Sequence, residues 1–197
     1  MMKNVLKGNV LTLMVVFVGM IFLSLTTFAQ GQSGNVIYVT GNAKTSETTL
    51  GQAIKDLANP TYDKADVTIS IDANAVQNSK TVTYHIVQNN IKSLTICSHG
   101  SVTRGLIGVR FDIQINKPVT FKNLLFAYCN TKSVSNGATT DGGAIAYGGT
   151  GSGKTDSVGD LTVTNCIFNN CTCTGKKGGA IAYNYNKLAN AGNLTLT

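Results

Sequence analysis

The sequence predicts an all-β fold, a parallel β-helix (β-solenoid) with a short N-terminal capping helix. Three observations predict it: sequence blocks recur in the C-terminal half, the predicted strands are short and closely spaced, and one segment after residue 30 reads as a helix. Repeats with too little apolar surface to bury alone must stack on neighbours that share one core. Parallel stacking at about 4.8 Å would place equivalent residues above one another.

The first 29 residues differ from the rest and predict a signal peptide. Lys3 and Lys7 provide a positive start, and residues 10–25 are apolar and uncharged. Small residues occupy the two positions that a signal peptidase reads, with Ala29 as the last. Because the apolar run is shorter than the roughly 20 residues that span a bilayer, a signal peptide is favoured over a membrane anchor. We therefore expect cleavage after Ala29 and a protein that is exported to the cell surface or the medium.

The composition after the signal peptide is that of a β-rich extracellular chain. Without Lys3 and Lys7 the formal net charge of +7 falls to +5, and the remaining basic residues form no run in the sequence. A nucleic-acid partner is therefore not expected. The chain has no Trp, only 2 Pro and 21 Gly, a composition more typical of β-structure than of helices.

The predicted elements of residues 31–118 are an N-terminal cap and the first coils. Thr48 or Thr49 can cap a helix whose apolar face is Leu50, Ala53, Ile54 and Leu57 and which Asn59-Pro60 ends. The apolar runs predict strands at 36–39, 67–71, 82–87, 94–97, 109–115 and 119–126.

Residues 119–197 contain the repeats. Residues 119–129 align without a gap with residues 161–171, and residues 142–147 recur as residues 178–183. A third unit begins at Asn193, so we expect the chain to be a fragment of a longer protein.

Stacked repeats predict specific contacts. We expect Phe126 on Phe168, Ile145 on Ile181, and Asn123 on Asn165 in a buried amide ladder that satisfies backbone groups at a turn. The paired glycines would allow tight corners.

Two tetrapeptides carry a resemblance to a known family. The first is Gly-Gly-Ala-Ile, at Gly142, Gly143, Ala144 and Ile145 and again at Gly178, Gly179, Ala180 and Ile181. The second begins at Phe126 and Phe168 and ends at Cys129 and Cys171, where the family pattern Phe-x-x-Asn has Asn. The chain resembles the polymorphic outer membrane protein repeats of autotransporter-like adhesins. The resemblance implies a right-handed parallel β-helix that is displayed at the cell surface, with outer-membrane association through a part beyond residue 197.

The cysteines are predicted not to bind a metal ion, and for two of them core packing is favoured. The cysteines are five in number, Cys97, Cys129, Cys166, Cys171 and Cys173, so at least one thiol is expected to stay unpaired in an exported chain. Their spacing is not that of zinc ligands, and we predict no metal or other cofactor. Cys129 and Cys171 are repeat equivalents that could form either a disulfide or a ladder of small inward-facing residues; the ladder is favoured.

Residues 148–155 satisfy the phosphate-loop pattern letter by letter. That chemistry needs a strand before the loop and a helix after it, but Leu161 to Thr164 reads as a strand with no room for a helix before it. We predict a Gly/Ser-rich loop and no nucleotide.

A carbohydrate-active β-helix enzyme, similar to polysaccharide lyases, is the alternative function. It would need clustered carboxylates and a basic residue. Asp141, Asp156 and Asp160 are predicted in or beside loops, where such residues serve turns. Arg110 and Asp112 lie on one strand face, a pattern that favours an exposed ion pair.

The two histidines lack the companions of a catalytic triad, and His85 is predicted to face solvent and His99 to lie in a turn beside Gly100. We therefore predict an adhesin or a structural envelope component without catalysis. Its expected partners are a host or neighbouring-cell surface, or an extracellular polysaccharide.

Overall fold

The computed structural model describes residues 35–40, 49–76, 81–131, 141–148, 157–174, 177–184 and 190–197. All of them belong to one compact unit. The predicted signal peptide, the residues of the phosphate-loop pattern after Gly148, and Asp156 lie outside these ranges.

The described residues are mostly β-strand with little helix. In chain order the elements are β1 (Val36–Val39), α1 (Leu50–Asp56), a 3-10 helix (Pro60–Tyr62), β2 (Asp66–Ile71), β3 (Ala75–Val76), β4 (Val82–Ile86), β5 (Ser93–Ser98), β6 (Arg104–Ile107), β7 (Val109–Ile113), β8 (Val119–Lys122), β9 (Leu124–Ala127), β10 (Ile145–Tyr147), β11 (Ser157–Val158), β12 (Leu161–Thr164), β13 (Ile167–Asn169), β14 (Ile181–Tyr183), β15 (Asn190–Ala191) and β16 (Leu194–Leu196). No helix in this part of the chain is long and apolar enough to span a bilayer.

The strands form three larger parallel sheets, which the chain visits in a fixed order. Sheet 1 has the order β1-β2-β5-β8-β12-β16, sheet 2 the order β13-β9-β6-β3 and sheet 3 the order β14-β10-β7-β4. We call each passage through sheets 1, 2 and 3 a pass. The described chain makes four passes, β2 to β4, β5 to β7, β8 to β10 and β12 to β14, and β16 then returns to sheet 1. A two-stranded parallel sheet joins β11 and β15.

Equivalent residues of successive passes lie side by side. Phe126 pairs with Phe168 in sheet 2, and Ile145 pairs with Ile181 in sheet 3. The rings of Phe126 and Phe168 are nearly parallel, at 4°, with centroids 5.1 Å apart. Both stacking predictions are confirmed. The recurrence in the sequence is therefore a recurrence of position in the sheets.

The core lies between the three sheets. Phe111 of sheet 3, Phe121 of sheet 1 and Phe126 of sheet 2 are fully buried and meet one another, with ring centroids 5.2 to 6.3 Å apart. Full burial of one such side chain stabilises a fold by about 1.5–3 kcal/mol. The aromatic cluster therefore holds one residue from each sheet around one centre.

The helix α1 begins as the sequence predicts. Thr49 is its N-cap, and the Thr49 hydroxyl accepts a hydrogen bond from the Gln52 N–H at 3.2 Å. The apolar face of α1 is buried and contacts β1 and β4, which are edge strands of sheets 1 and 3. The helix ends at Asp56 with Leu57 as its C-cap, before Asn59-Pro60, and Asn59 instead caps the short 3-10 helix.

Two predictions about residues 119–126 are wrong. The predicted single strand is divided into β8 and β9, which belong to different sheets. The corner is Asn123, whose φ is +58°, and its equivalent Asn165 has φ +50°. Asn123 is only half-buried and Asn165 is exposed, so the two do not form a buried amide ladder. Asn suits the position because it tolerates the left-handed backbone that the corner requires.

Candidate functional site

The Gly-Gly-Ala-Ile residues form a tightly packed corner that leads into sheet 3. Gly142 and Gly178 have φ of +63° and +60°. The Gly143 N–H donates to the Gly179 carbonyl at 2.7 Å, and a methyl group on Gly143 would lie 2.7 Å from backbone atoms of Gly179 and Thr172. Glycine at position 143 is thus required because two neighbouring passes approach closely there.

The remaining residues of these tetrapeptides supply core packing. Ala144 and Ile145 are fully buried, whereas their equivalents Ala180 and Ile181 are half-buried. The difference arises because β10 has a neighbour on both sides, β7 and β14, whereas β14 is the edge strand of sheet 3.

Cys129 and Cys171 occupy the same position in successive passes. Cys129 is fully buried in the core, Cys171 is half-buried against it, and both are free thiols in this structure. The Thr172 N–H donates to the Cys129 carbonyl at 2.8 Å. A hydrogen bond from Cys129 lowers the pKa of Cys171 to about 7, although burial acts in the opposite direction. The same hydrogen bond, together with burial, raises the pKa of Cys129. The arrangement agrees with the predicted ladder of inward-facing residues and also brings the two thiols together.

Arg110 and Asp112 are fully buried, so the prediction that they form an exposed ion pair is wrong. Arg110 Nε donates to the Gly142 carbonyl at 2.9 Å, and Nη2 donates to the Asp141 carbonyl at 2.8 Å. The guanidinium therefore ties β7 to the corner that precedes β10. A short alternating strand gave no sign of this, because the atoms that cover its outer face come from residues distant in sequence.

Asp112 forms a small polar cluster with side chains of the same sheet. Asp112 Oδ2 lies 3.3 Å from His85 Nδ1 on the adjacent strand and accepts a hydrogen bond from Gln114 Nε2 at 3.1 Å. The His85 side chain is 36% exposed. The prediction that His85 faces solvent thus holds only in part, because the Nδ1 atom of the imidazole meets a buried carboxylate.

His99 lies in a turn beside Gly100, as predicted. Its Nδ1 is 3.1 Å from the Ser70 hydroxyl, and its ring contacts Tyr38 edge-on with centroids 5.6 Å apart. These contacts place His99 at the margin of sheet 1, away from Asp112 in sheet 3.

Of the predicted loop aspartates, Asp141 and Asp160 lie within the described residues, and both serve turns. Asp141 Oδ1 accepts a hydrogen bond from the Lys177 N–H at 3.0 Å, and Asp160 Oδ1 accepts one from the Asn193 N–H at 2.7 Å. Asn74 does the same for the Gly105 N–H at 2.7 Å. In each case a side chain of one pass satisfies the backbone of the next. Within the described ranges, no group of three or more His, Cys, Asp or Glu side chains could hold a metal ion.

Sequence reasoning missed a basic cleft at the corner from sheet 3 to sheet 1. The cleft has a volume of about 480 Å³. Its lining includes Asp63, Lys64, Asn89, Asn90, Lys92 and Lys117. The three lysines precede β2, β5 and β8, which are neighbours in sheet 1. Their separation in the sequence hid the cluster, although each stands two or three residues before an aligned apolar residue, Val67, Leu94 or Val119.

The cleft is fixed by backbone and amide contacts, and its charges reach solvent. The Lys64 N–H donates to the Asn90 carbonyl at 2.7 Å, and Asn90 Nδ2 donates to Asp63 Oδ1 at 2.7 Å. Lys92 Nζ donates a hydrogen bond to Asp66 Oδ2 at 2.8 Å, and both side chains are more than half exposed. Lys92 and Lys117 stand at equivalent positions of neighbouring strands, and Lys64 lies one residue out of register with Lys92. Three lysines on neighbouring strands suit an anionic polymer better than a small compact ligand.

Comparison with protein-family models, with curated proteins and with solved structures yields no match for this chain.

Proposed function

We propose that the chain is an exported β-helical repeat protein that acts at the cell surface as an adhesin or structural component, without catalysis. One observation carries the proposal: four passes through three parallel sheets in fixed order, with repeated sequence blocks in register. Repetition of this kind builds a long, uniform surface, which suits attachment or spacing. The Gly-Gly-Ala-Ile tetrapeptides and the resemblance that they carry support the same function.

The finer architecture that we propose is a right-handed parallel β-helix with α1 as its N-terminal cap. The stacked passes support the β-helix, and the resemblance supports its handedness. The cap is supported by the contacts of α1 with β1 and β4, edge strands whose backbone groups would otherwise invite pairing with other chains. Under this proposal, α1 protects the first pass.

The adhesive surface that we propose is the basic cleft, and its partner is an extracellular polysaccharide with carboxylate groups. Lys64, Lys92 and Lys117 are spaced by single strands along the axis of the stack. A polymer that lies along this row would place anionic groups near successive ammonium groups. Such surface attraction is screened within about 8 Å at physiological ionic strength, so binding should weaken with salt.

Surface display is tested first. The complete gene that contains this sequence is expressed, and intact cells are treated with protease before the chain is detected with antibodies against residues 119–197. Loss of the signal from intact cells supports display. A signal that survives on intact cells and disappears only after the outer envelope is opened contradicts it.

The polysaccharide contact is tested with polygalacturonate immobilised on beads. The double variant Lys64→Gln and Lys117→Gln should elute at a lower salt concentration than the unchanged chain. The matched control, Lys55→Gln and Lys122→Gln, removes the same charge from exposed lysines outside the cleft. If both double variants elute alike, the retention reflects net charge and the cleft is not the contact surface.

A carbohydrate-active enzyme is the second candidate function, and one observation favours it. His85 is half-exposed and held at 3.3 Å from the buried Asp112, an arrangement that can orient an imidazole for proton transfer. Release of unsaturated or reducing ends from acidic glycans, lost in His85→Gln, would support the enzyme. Equal product from both proteins would exclude this pair from catalysis.

A further inference from the structure

We propose that Cys129 and Cys171 form an oxidisable dithiol that closes to a disulfide between consecutive passes. The two residues stand at equivalent positions, and the Thr172 N–H bonds to the Cys129 carbonyl at 2.8 Å. Three residues earlier, Phe126 and Phe168 stack at 5.1 Å. Neighbouring parallel strands lie about 4.8 Å apart, and disulfides require a Cα separation of about 4.4–6.8 Å. The spacing of the strands therefore meets the Cα requirement of a bridge.

The two sulfur atoms point in the same direction. Cys129 Sγ lies 3.4 Å from the Ala127 carbonyl oxygen and 3.8 Å from that of Leu106. Cys171 Sγ lies 3.7 Å from the Asn169 carbonyl oxygen and 3.5 Å from that of Phe126.

The contacted residues are themselves equivalent. Ala127 pairs with Asn169, and Leu106 pairs with Phe126. Each thiol thus faces the carbonyl oxygen two residues before it and one carbonyl oxygen on the preceding pass. The two thiols therefore lie on the same side of neighbouring passes.

The other cysteines do not have such a neighbour. Cys97 pairs in sheet 1 with Ser70 on one side and Lys122 on the other. Cys166 follows β12 at a position whose equivalent in the preceding pass is Leu124. Cys173 Sγ instead lies 3.6 Å from the Lys177 carbonyl oxygen. Of the five cysteines, Cys129 and Cys171 are the pair that the repeat brings together.

The reaction needs an external disulfide as oxidant, such as glutathione disulfide or a disulfide-bonded oxidoreductase. The half-buried Cys171 thiolate attacks one sulfur of the oxidant, forming a mixed disulfide and releasing one thiolate. Cys129 then loses its proton and attacks Cys171 Sγ, which forms the Cys129–Cys171 bond and releases the second thiolate. Two protein thiols are oxidised and one oxidant disulfide is reduced to two thiols. Cys171 acts first because Cys129 is fully buried.

The proposal is independent of the adhesive function, because it requires only a disulfide oxidant. The purified, reduced chain is incubated with glutathione disulfide, then denatured and alkylated, and its free thiols are counted by mass spectrometry. We expect the count to fall from five to three. Fragmentation of the cross-linked peptides should assign the bond to Cys129 and Cys171.

Single variants distinguish this pair from other pairings. Cys171→Ser and Cys129→Ala should each abolish the internal bond, whereas Cys166→Ser and Cys173→Ser should retain it. When the chain is oxidised in about 8 M urea, which unfolds it, the preference for the Cys129–Cys171 bond should disappear. That loss would show that the fold directs the pairing. Five alkylated thiols after oxidation, or an internal bond that persists in Cys171→Ser, would overturn the proposal.

Discussion

Gly143 and Gly179 occupy equivalent positions in two repeats, but their surroundings differ. A methyl group on Gly143 would meet backbone atoms of Gly179 and Thr172 at 2.7 Å, whereas one on Gly179 would meet no heavy atom within 4 Å. We therefore expect Gly143→Ala to lower the free energy of unfolding by about 1–3 kcal/mol, the usual cost of overpacking. Urea denaturation followed by circular dichroism measures the difference.

Gly179→Ala is the matched control, because it makes the same chemical change at the equivalent position. Its free energy of unfolding should stay within about 0.5 kcal/mol of the unchanged chain. If the two variants lose the same stability, the cost does not come from the approach of neighbouring passes at Gly143.

Cys171 should be more acidic than Cys97, Cys129 and Cys166. The hydrogen bond from Cys129 lowers its pKa to about 7, while burial raises the pKa of Cys97 and Cys166 above the ordinary value. Because the thiolate is the nucleophile, alkylation of Cys171 by iodoacetamide should rise to half its maximal rate near pH 7. The rates at Cys97 and Cys166 should reach half-maximum at higher pH. Peptide mass spectrometry after timed labelling of the reduced chain follows each site separately.

Removal of Cys129 tests the cause of that acidity. In Cys129→Ala the midpoint for Cys171 should move up toward the ordinary thiol range, because the donated hydrogen bond is lost. An unchanged midpoint would assign the acidity to the backbone around Cys171.

At the scale of the elements, β7 is the longest of the strands in which every residue is buried. Every residue from Val109 to Ile113 is buried, so both faces of β7 are covered. Arg110 connects β7 to the corner before β10 through the carbonyl oxygens of Gly142 and Asp141. The strand is therefore fixed by side-chain contacts as well as by its two neighbours in sheet 3.

Arg110→Met keeps much of the side-chain volume and removes both hydrogen bonds. We expect the free energy of unfolding to fall by roughly 3 kcal/mol, because hydrogen bonds to a charged group are lost and buried carbonyls are left without them. Arg104→Met is the control: it breaks the Arg104–Asp72 ion pair, whose side chains are 28% and 45% exposed. That change should cost less than about 1 kcal/mol. Equal losses in urea denaturation would show that Arg110 contributes through packing alone.

The sequence repeats made some elements predictable, but the pattern of apolar residues did not predict the corners between sheets. The sequence alone predicted the start of α1 at its N-cap, because that depends on local spacing. It also predicted the pairs Phe126–Phe168 and Ile145–Ile181, because these follow from the alignment of repeats. The corner at Asn123 was missed, since apolar residues continue on both sides of it. β3 was missed because it has only 2 residues, and β6 because Arg104 and Gly105 leave it two apolar residues, Leu106 and Ile107.

The candidate sites were predicted less well for a related reason. The burial of Arg110 and the meeting of Lys64, Lys92 and Lys117 depend on which pass lies beside which, and the early passes have no repeat alignment in the sequence. The Cys129–Cys171 contact was predictable because it falls inside the aligned repeats. In this chain, contacts between passes can be inferred from sequence only where the repeats are recognisable.

At the scale of the whole molecule, each pass is stabilised by its neighbours. The aromatic cluster of Phe111, Phe121 and Phe126 joins all three sheets, and side chains such as Asp141 and Asp160 satisfy the backbone of the following pass. Stability in such a stack is the sum of contacts within passes and between neighbours. A covalent link between two passes should therefore stabilise both.

Closure of the Cys129–Cys171 bond is expected to raise the stability of the entire stack. It would close a loop of about 43 residues and reduce the entropy of the unfolded chain, which is worth about 2–4 kcal/mol in typical cases. The chain oxidised with glutathione disulfide should thus unfold at a higher urea concentration than the reduced chain. Cys171→Ser, given the same two treatments, should unfold at one concentration. If oxidation shifts the unfolding of Cys171→Ser as much as that of the unchanged chain, another pair of thiols stabilises the fold; if it shifts neither, the link does not restrain the unfolded chain.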